Sequence, residues 1–514
     1  MTKWAVYDSH TRSFGKWIVT VVPLTSVFSL SKPPSWASAI FLVSSKVHEM
    51  RNKVHEMRNR TATDKEQSPI FIPWSSVAGI GWPAVPRQFE ARVLALQYQL
   101  DQSQWWEAEA LQQLQLRQME MLLVHAERTV PFYRGRFKAL AGLKRVTMEA
   151  WRKIPTLLRT DIQDHGQDLV SRKMPEGHGR IREIRSSGST GRPISVKTTD
   201  VTQLFFAALN LRYHLWRSRD FRGKTAKIIR PVSSKSQIKP QGWVPGYNSG
   251  PMVSLGVTST VAEQVAWLRE EDPHYLFTYP SNLRAILDHC QNNGVELSNL
   301  RGIATMGEVV EDTLRAACEE VLGLSLSDCY SAQEVGMIAL QCPDHPHYHV
   351  QSERIFLEIL NNDGTPCGPG ETGRVVLTDL HNFAMPLIRY EIGDYGEFGE
   401  PCSCGRGLPV LSRILGRQRN MLTLPSGDLI WPLFDSNNLD QYGPVGQAQL
   451  VQRTTEELEL RMVVNKALKP RDEKCLRKAV LDRLGHPFTL NLVCVDEIPR
   501  LANGKFEDFM SEVK

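Results

Sequence analysis

Apolar residues recur every three to four positions across residues 88–128. Phe89, Val93 and Leu96 lead into a run from Trp105 to Ala126 rich in Leu, Gln, Glu and Met. This spacing predicts helix, and Pro131 ends it because proline has no N–H for the helical ladder. Residues 154–161 read as a turn followed by a short capped helix. From 179 to 399 the pattern alternates between strand-like and helix-like segments. Strands are predicted at 225–231, 275–279, 302–306 and 324–330, and helices at 261–270, 282–292 and 311–322. That rhythm belongs to an α/β domain with a mainly parallel sheet. Runs at 355–360 and 373–379 flank an Asp363-Gly364 turn, so a β-rich subdomain follows. Beyond a hinge candidate at Gly416-Arg417, residues 447–453, 458–464, 473–484 and 489–495 read ββαβ, a small α+β domain. The organisation expected is an N-terminal extension over 1–87, a large α/β domain over 88–416 and a small, mobile domain over 417–514.

Composition narrows the class. The 514 residues, 41% hydrophobic and 23% charged, suit a soluble multi-domain globule. A net charge of +5, from 61 basic and 56 acidic side chains, gives no footprint for nucleic acid. Nine scattered cysteines, an odd count, argue against a disulfide framework and for a reducing, cytoplasmic setting. No apolar run near the N-terminus reaches the roughly 20 residues of a spanning helix, so no membrane partner is expected. Residues 46–52 and 53–59 repeat Lys-Val-His-Glu-Met-Arg-Asn exactly, and two copies are too few for a solenoid. The extension is expected to be disordered, or to precede a true start at Met50 or Met57.

The strongest chemical signal is Ser186-Ser187-Gly188-Ser189-Thr190-Gly191-Arg192-Pro193, between strand-like runs at 179–185 and 193–197. Glycines allow tight turns, while hydroxyls and backbone N–H groups form a nest for phosphate oxygens. The spacing is neither that of a P-loop nor that of a dinucleotide fold; a Ser/Gly surface linker is the plain alternative. Tyr330-Ser331-Ala332-Gln333-Glu334 ends a strand of buried type, where open α/β sheets bind ligands. Its carboxylate suits Mg²⁺ on a triphosphate, or merely the dipole of a following helix. Asp394, in a turn after an apolar run, suits ribose hydroxyls or an Asx turn. Asn503-Gly504 projects Lys505, which either neutralises an α-phosphate or is simply solvated.

Taken in order, Ser186–Pro193, Gly307-Glu308, Tyr330–Glu334, Arg389–Asp394, Gly416-Arg417 and Asn503–Lys505 resemble the core motifs of the adenylate-forming (AMP-binding) superfamily. Trp105-Trp106, Val130–Tyr133 and residues 401–409 are similar to its phenylacetate–CoA ligase branch, especially CapK-like, capsule-biosynthesis-type members. The resemblance implies activation of a carboxylic acid by ATP to acyl-AMP, then transfer to coenzyme A. Ser186, Ser187, Gly188, Ser189, Thr190 and Gly191 would grip the β,γ-phosphates. Gly307 and Glu308 would line the adenine pocket, Tyr330 would stack near adenine, and Asp394 with Arg417 would hold the ribose. Glu334 would bind Mg²⁺ and Lys505 would be catalytic in the first step. The chain departs from the pattern at 418–421, which lacks the usual acidic residue, and at 423–431, which lacks a glycine-rich turn. The final acceptor is therefore either coenzyme A, a carrier-protein pantetheine or an amine, and a nucleotide-binding scaffold without activity is a further reading. Trp243, Tyr247 and Tyr279 suit an aromatic or apolar acid. A monomer or homodimer is expected.

Cys402 and Cys404 lie in a Gly/Pro-flanked loop, and Cys342 and His349 bracket a second cluster. Cys₃His is a structural zinc set, although Cys-x-Cys is tighter than the common spacing. The plain alternative is a group of ordinary thiols beside a polar histidine loop.

Overall fold

The computed structural model describes residues 73–138, 145–185, 194–229, 242–417, 422–426, 429–430, 439–484, 486–499 and 506–513. The helical pattern over 88–128 resolves into two helices, Gln88–Ser103 and Ala108–Thr129. The break carries Trp105 and Trp106. It is held from outside: Gln104 accepts from the Trp216 indole at 2.8 Å and from Arg406 Nε at 3.1 Å. Gly407 donates its N–H to the Gln104 carbonyl at 2.9 Å. A Cβ at Gly407 would overlap the Trp106 carbonyl oxygen, so only glycine lets the loop come this close.

Strands β1 (Arg182–Arg185) and β2 (Ser195–Thr198) pair antiparallel, with Arg185 opposite Ser195. The hairpin expected around the Ser/Gly stretch is therefore present, while its tip, 186–193, lies outside the described residues. The helix Asp200–Trp216 follows, capped by Thr199. Next come β3 (Thr225–Ile229), β4 (Met252–Gly256), β5 (Tyr275–Thr278), β6 (Gly302–Met306) and β7 (Leu326–Ala332), all parallel. Helices Val261–Glu271, Pro280–Asn293 and Asp312–Leu322 connect β4 through β7. The connections bury Val253, Leu276, Leu283, Ile303 and Leu314 on one face of the sheet. Helix Asp200–Trp216 covers the other face through Leu204, Ala208 and Leu211.

The β-rich subdomain is not a separate layer. Strands β8 (Gly336–Gln341), β9 (Tyr348–Val350), β10 (Ile355–Leu360), β11 (Thr372–Asp379), β12 (Tyr390–Phe398) and β13 (Val410–Arg417) continue the same sheet antiparallel. The resulting order of eleven strands is β10-β11-β12-β13-β9-β8-β7-β6-β5-β3-β4. The expected mainly parallel sheet is thus half antiparallel, and the change occurs at the tight β7–β8 hairpin. The seam between β13 and β9 is short: only Val410 with His349 and Leu411 with Tyr348 are in register. Beyond this sheet, β14 (Leu422–Thr423) pairs with β15 (Leu429–Ile430). Then β16 (Val445–Gln452), β17 (Glu457–Val464), β18 (Thr489–Cys494) and β19 (Phe509–Ser511) form a four-stranded sheet backed by helix Pro470–Leu484. Leu450, Leu460, Leu476 and Val480 form its core. The expected ββαβ pattern is present, with β19 as an added edge. No helix among the described residues is long and apolar enough to cross a membrane.

One buried ion pair ties the antiparallel half to the short helix Met148–Arg152 and the turn after it. Arg389, at φ +50°, sends Nε to Glu358 Oε2 at 3.1 Å and Nη2 to Oε1 at 3.0 Å. Its remaining nitrogen reaches the Arg152 and Ile154 carbonyls, and the Trp151 indole donates to Glu358 at 3.0 Å. Removing one member of such a pair strands a buried charge. Glu358→Ala is expected to lower unfolding free energy by about 3–5 kcal/mol, read from denaturant melts.

Candidate active site

The carboxyl ends of the neighbouring strands β6 and β7 carry four of the expected residues, Gly307, Glu308, Tyr330 and Glu334. Gly307 follows β6 at φ +83°, a conformation open to glycine, and turns the chain to present Glu308. Glu308 Oε2 accepts the Ser281 N–H at 2.9 Å, capping helix Pro280–Asn293, and Oε1 accepts the Phe506 N–H at 3.0 Å. Tyr330, in β7, donates its hydroxyl to Asp394 Oδ2 at 2.7 Å. Asp394 lies inside β12 rather than in the turn expected for it. Arg417, at the end of β13, stands opposite it in register.

Glu334 sits in the β7–β8 turn, not at a helix N-terminus, and is buried. Tyr390 donates to its Oε1 at 3.2 Å and Arg159 Nη1 stands 3.7 Å away. Burial, and then the neighbouring Glu334 charge, push the Tyr390 hydroxyl far above its ordinary pKa, so it remains a donor at neutral pH. Arg159 and Tyr390 were not singled out from the sequence. Their partner lies far along the chain, and local pattern carries no trace of such a contact.

Lys505 and Ser186 through Gly191 lie outside the described residues. Of the aromatics proposed for the acid pocket, Trp243 is core. Its indole donates to the Gly223 carbonyl at 2.8 Å, and its ring meets His214, Tyr275 and Phe221 edge-on at 4.8, 5.6 and 5.9 Å. Tyr247 meets Phe221 at 5.3 Å, and Tyr279 is buried just before helix Pro280–Asn293.

Below Tyr330, β7 carries the buried Asp328. It accepts from Tyr348 at 2.6 Å and from Thr305 at 2.8 Å. Burial outweighs these bonds and lifts its pKa to about 6.

The four metal-ligand candidates converge. Cys342 follows β8, His349 lies in β9, and Cys402 and Cys404 sit in the β12–β13 loop, with all four ligand atoms within 4.8 Å of one another. Cys342 Sγ lies 3.9 Å from Cys402 Sγ, and Cys404 Sγ lies 3.4 Å from His349 Nε2. Sulfurs about 3.8 Å apart are what tetrahedral Zn–S bonds of roughly 2.3 Å require. Nδ1 of His349 faces the Leu408 carbonyl at 3.2 Å, which leaves Nε2 for the cluster. Burial lowers the His349 pKa to about 4, so the ring is neutral, as a ligand must be.

The Asp328 shift sets a pH signature. A carboxyl whose folded pKa is raised holds its proton in the folded state, so stability falls as pH climbs from about 4 to 6 and is then flat. Asp328→Asn removes that slope. Relative to the wild type, the variant should gain about 3 kcal/mol across the window, measured by denaturant melts at stepped pH.

Comparisons with known proteins bear on the chain as a whole. Residues 426–512 match the CapK C-terminal domain family. The chain is 26% identical over 338 residues to phenylacetate-coenzyme A ligase of Thermus thermophilus, covering 62% of this chain and 72% of that protein. It is 21% identical over 426 residues to protein CapK of Staphylococcus aureus, covering 79% and 91%. Among solved structures, 2-hydroxyisobutyryl-CoA ligase in the postadenylation state, in complex with 2-HIB-AMP, shares the fold. Its TM-score is 0.66 at 19% identity, covering 80% of this chain and 92% of that one. The chain thus carries a CapK C-terminal family domain, is similar in sequence to phenylacetate–coenzyme A ligases and to CapK, and shares its fold with an acyl-CoA ligase.

Proposed function

We propose that the protein is an acid–thiol ligase that activates a carboxylic acid, aryl or otherwise apolar, with ATP and passes the acyl group to coenzyme A. The observation that carries this reading is the meeting of Tyr330 with Asp394, 64 residues apart in sequence, one short turn from the buried Glu334. In the first step a carboxylate oxygen attacks the α-phosphorus and pyrophosphate leaves. In the second, the thiol sulfur attacks the acyl carbon, loses its proton, and AMP departs. The nucleophile of the first step is already an anion, so positioning and charge neutralisation do the work.

Asp394, oriented by Tyr330, would hold the ribose, with Arg417 beside it. Glu334 would hold Mg²⁺, which draws charge from the phosphates. Ser186 through Gly191 would receive the β,γ-phosphates, and Lys505 would face the α-phosphate. Residues 88–416 then act as the large domain and 417–514 as the small one, with Gly416-Arg417 as hinge. Matches to named CoA ligases favour coenzyme A over a carrier-protein thiol or an amine.

Pyrophosphate exchange over a panel of aryl and fatty acids tests the reading. At least one acid should support exchange, and Lys505→Ala or Glu334→Gln should lower it by about 100-fold or more. No exchange with any acid would overturn it. Thioester formation with free coenzyme A separates the acceptors.

Cys342, His349, Cys402 and Cys404 would hold a structural Zn²⁺ that leaves no open position for catalysis. The ion would clamp the short β9–β13 seam and, through Arg406 and Gly407, the Trp105-Trp106 turn. Purified protein should contain one zinc per chain by elemental analysis. Cys404→Ser should lose the metal, lower Tm by several degrees and change the tryptophan emission.

A further inference from the structure

On this rim Glu308 turns its two oxygens to different parts of the molecule. Oε2 accepts from Ser281, in the first turn of helix Pro280–Asn293, at 2.9 Å. Oε1 accepts from Phe506, the residue after Lys505, at 3.0 Å. The Phe506 side of the contact is firmly built. The next carbonyl, Glu507, accepts Gln449 Nε2 at 2.9 Å, and that of Asp508 accepts the Leu450 N–H at 2.8 Å. Both anchors lie in β16, and β19 then runs parallel to it. On the other side, Glu308 hangs from β6 through Gly307 and caps a helix. One carboxylate thus joins the eleven-stranded sheet to the four-stranded one.

We infer that Glu308 is a positioning residue: it latches the C-terminal sheet onto the large sheet during the adenylation step. This rests on the reading of the protein as an adenylate-forming ligase and adds a role to the adenine contact that the family motif implies. The chemistry asks for a carboxylate. Two N–H donors arriving from opposite sides need two acceptor oxygens, and a charged acceptor makes the stronger bonds. Glutamine has one oxygen, and its amide nitrogen would face a donor.

The test measures the two half-reactions separately on the full chain. Pyrophosphate exchange reports adenylation; thioester formation from a supplied acyl-adenylate and coenzyme A reports transfer. Glu308→Gln is expected to lower the exchange kcat by about tenfold or more, with the ATP KM within about threefold and transfer within about twofold. Phe506→Pro removes the donor without touching the adenine pocket and should reproduce that split, whereas Phe506→Ala keeps the N–H and should retain exchange. In parallel, hydrogen exchange of the 506–511 segment should quicken in Glu308→Gln. A rise in ATP KM alone, an equal loss in both half-reactions, or unchanged amide protection would overturn the latch. If the wild type shows no exchange with any acid, the ligase reading fails while the amide protection still decides the contact.

Discussion

The site depends on the curl of one sheet. Tyr330 and Asp394 belong to β7 and β12, which are four inter-strand steps apart. At about 4.8 Å per step a flat sheet would hold them about 19 Å apart, yet hydroxyl and carboxylate meet at 2.7 Å. Tyr390 reaches Glu334 across the same gap at 3.2 Å. The antiparallel half must therefore fold back over the end of the parallel half. The register shifts in β12, at Tyr395/Gly396 and Glu397/Phe398, are where extra residues bend a strand. Tyr330 and Glu334 from one half then meet Asp394 and Tyr390 from the other.

Curling leaves a weak point. The β9–β13 seam has two register pairs, against six for β10 with β11. The Cys342–His349–Cys402–Cys404 cluster sits on that seam. It links the end of β8, β9 and the β12–β13 loop, whose Arg406 lies over both Trp105 and Trp216. The loop turns at Cys402, where the Gly405 N–H donates to the Cys402 carbonyl at 3.2 Å, and the tight Cys-x-Cys brings both sulfurs to the cluster.

Much of this was legible in the chain. The strand at 302–306 coincides with β6, and the helices at 261–270 and 311–322 fall within one residue of those found. Amphipathic helices and short buried strands announce themselves by period. Helix Asp200–Trp216 did not, because Leu204, Ala207, Ala208, Leu209 and Leu211 are all buried and no polar face marks its turn. The break at Trp105 escaped as well, since what stops the helix is a loop 300 residues on (Arg406 to Gln104 spans 302). Asp394 was read into a turn because it follows the apolar run 385–388, but it lies in β12, a bulged strand in which Gly393 adopts φ +87°. Motif order singled out Tyr330, Glu334 and Asp394; the long-range pairing of Tyr330 with Asp394 and of Glu334 with Tyr390 is a property of the curl and leaves no local mark.

The curl also orders events during synthesis. A ribosome-bound chain that has released β7 and β8 exposes Tyr330 and Glu334, but their counterparts Tyr390 and Asp394 emerge only later, 56 and 64 residues downstream. Contacts of such separation form slowly, because loop closure precedes any stabilisation. Until then the parallel half presents the unpaired edge of a growing sheet, a template for intermolecular strand addition. The interval of greatest aggregation hazard is thus the translation of β9 through β12, and it closes when β12 folds over the end of β7.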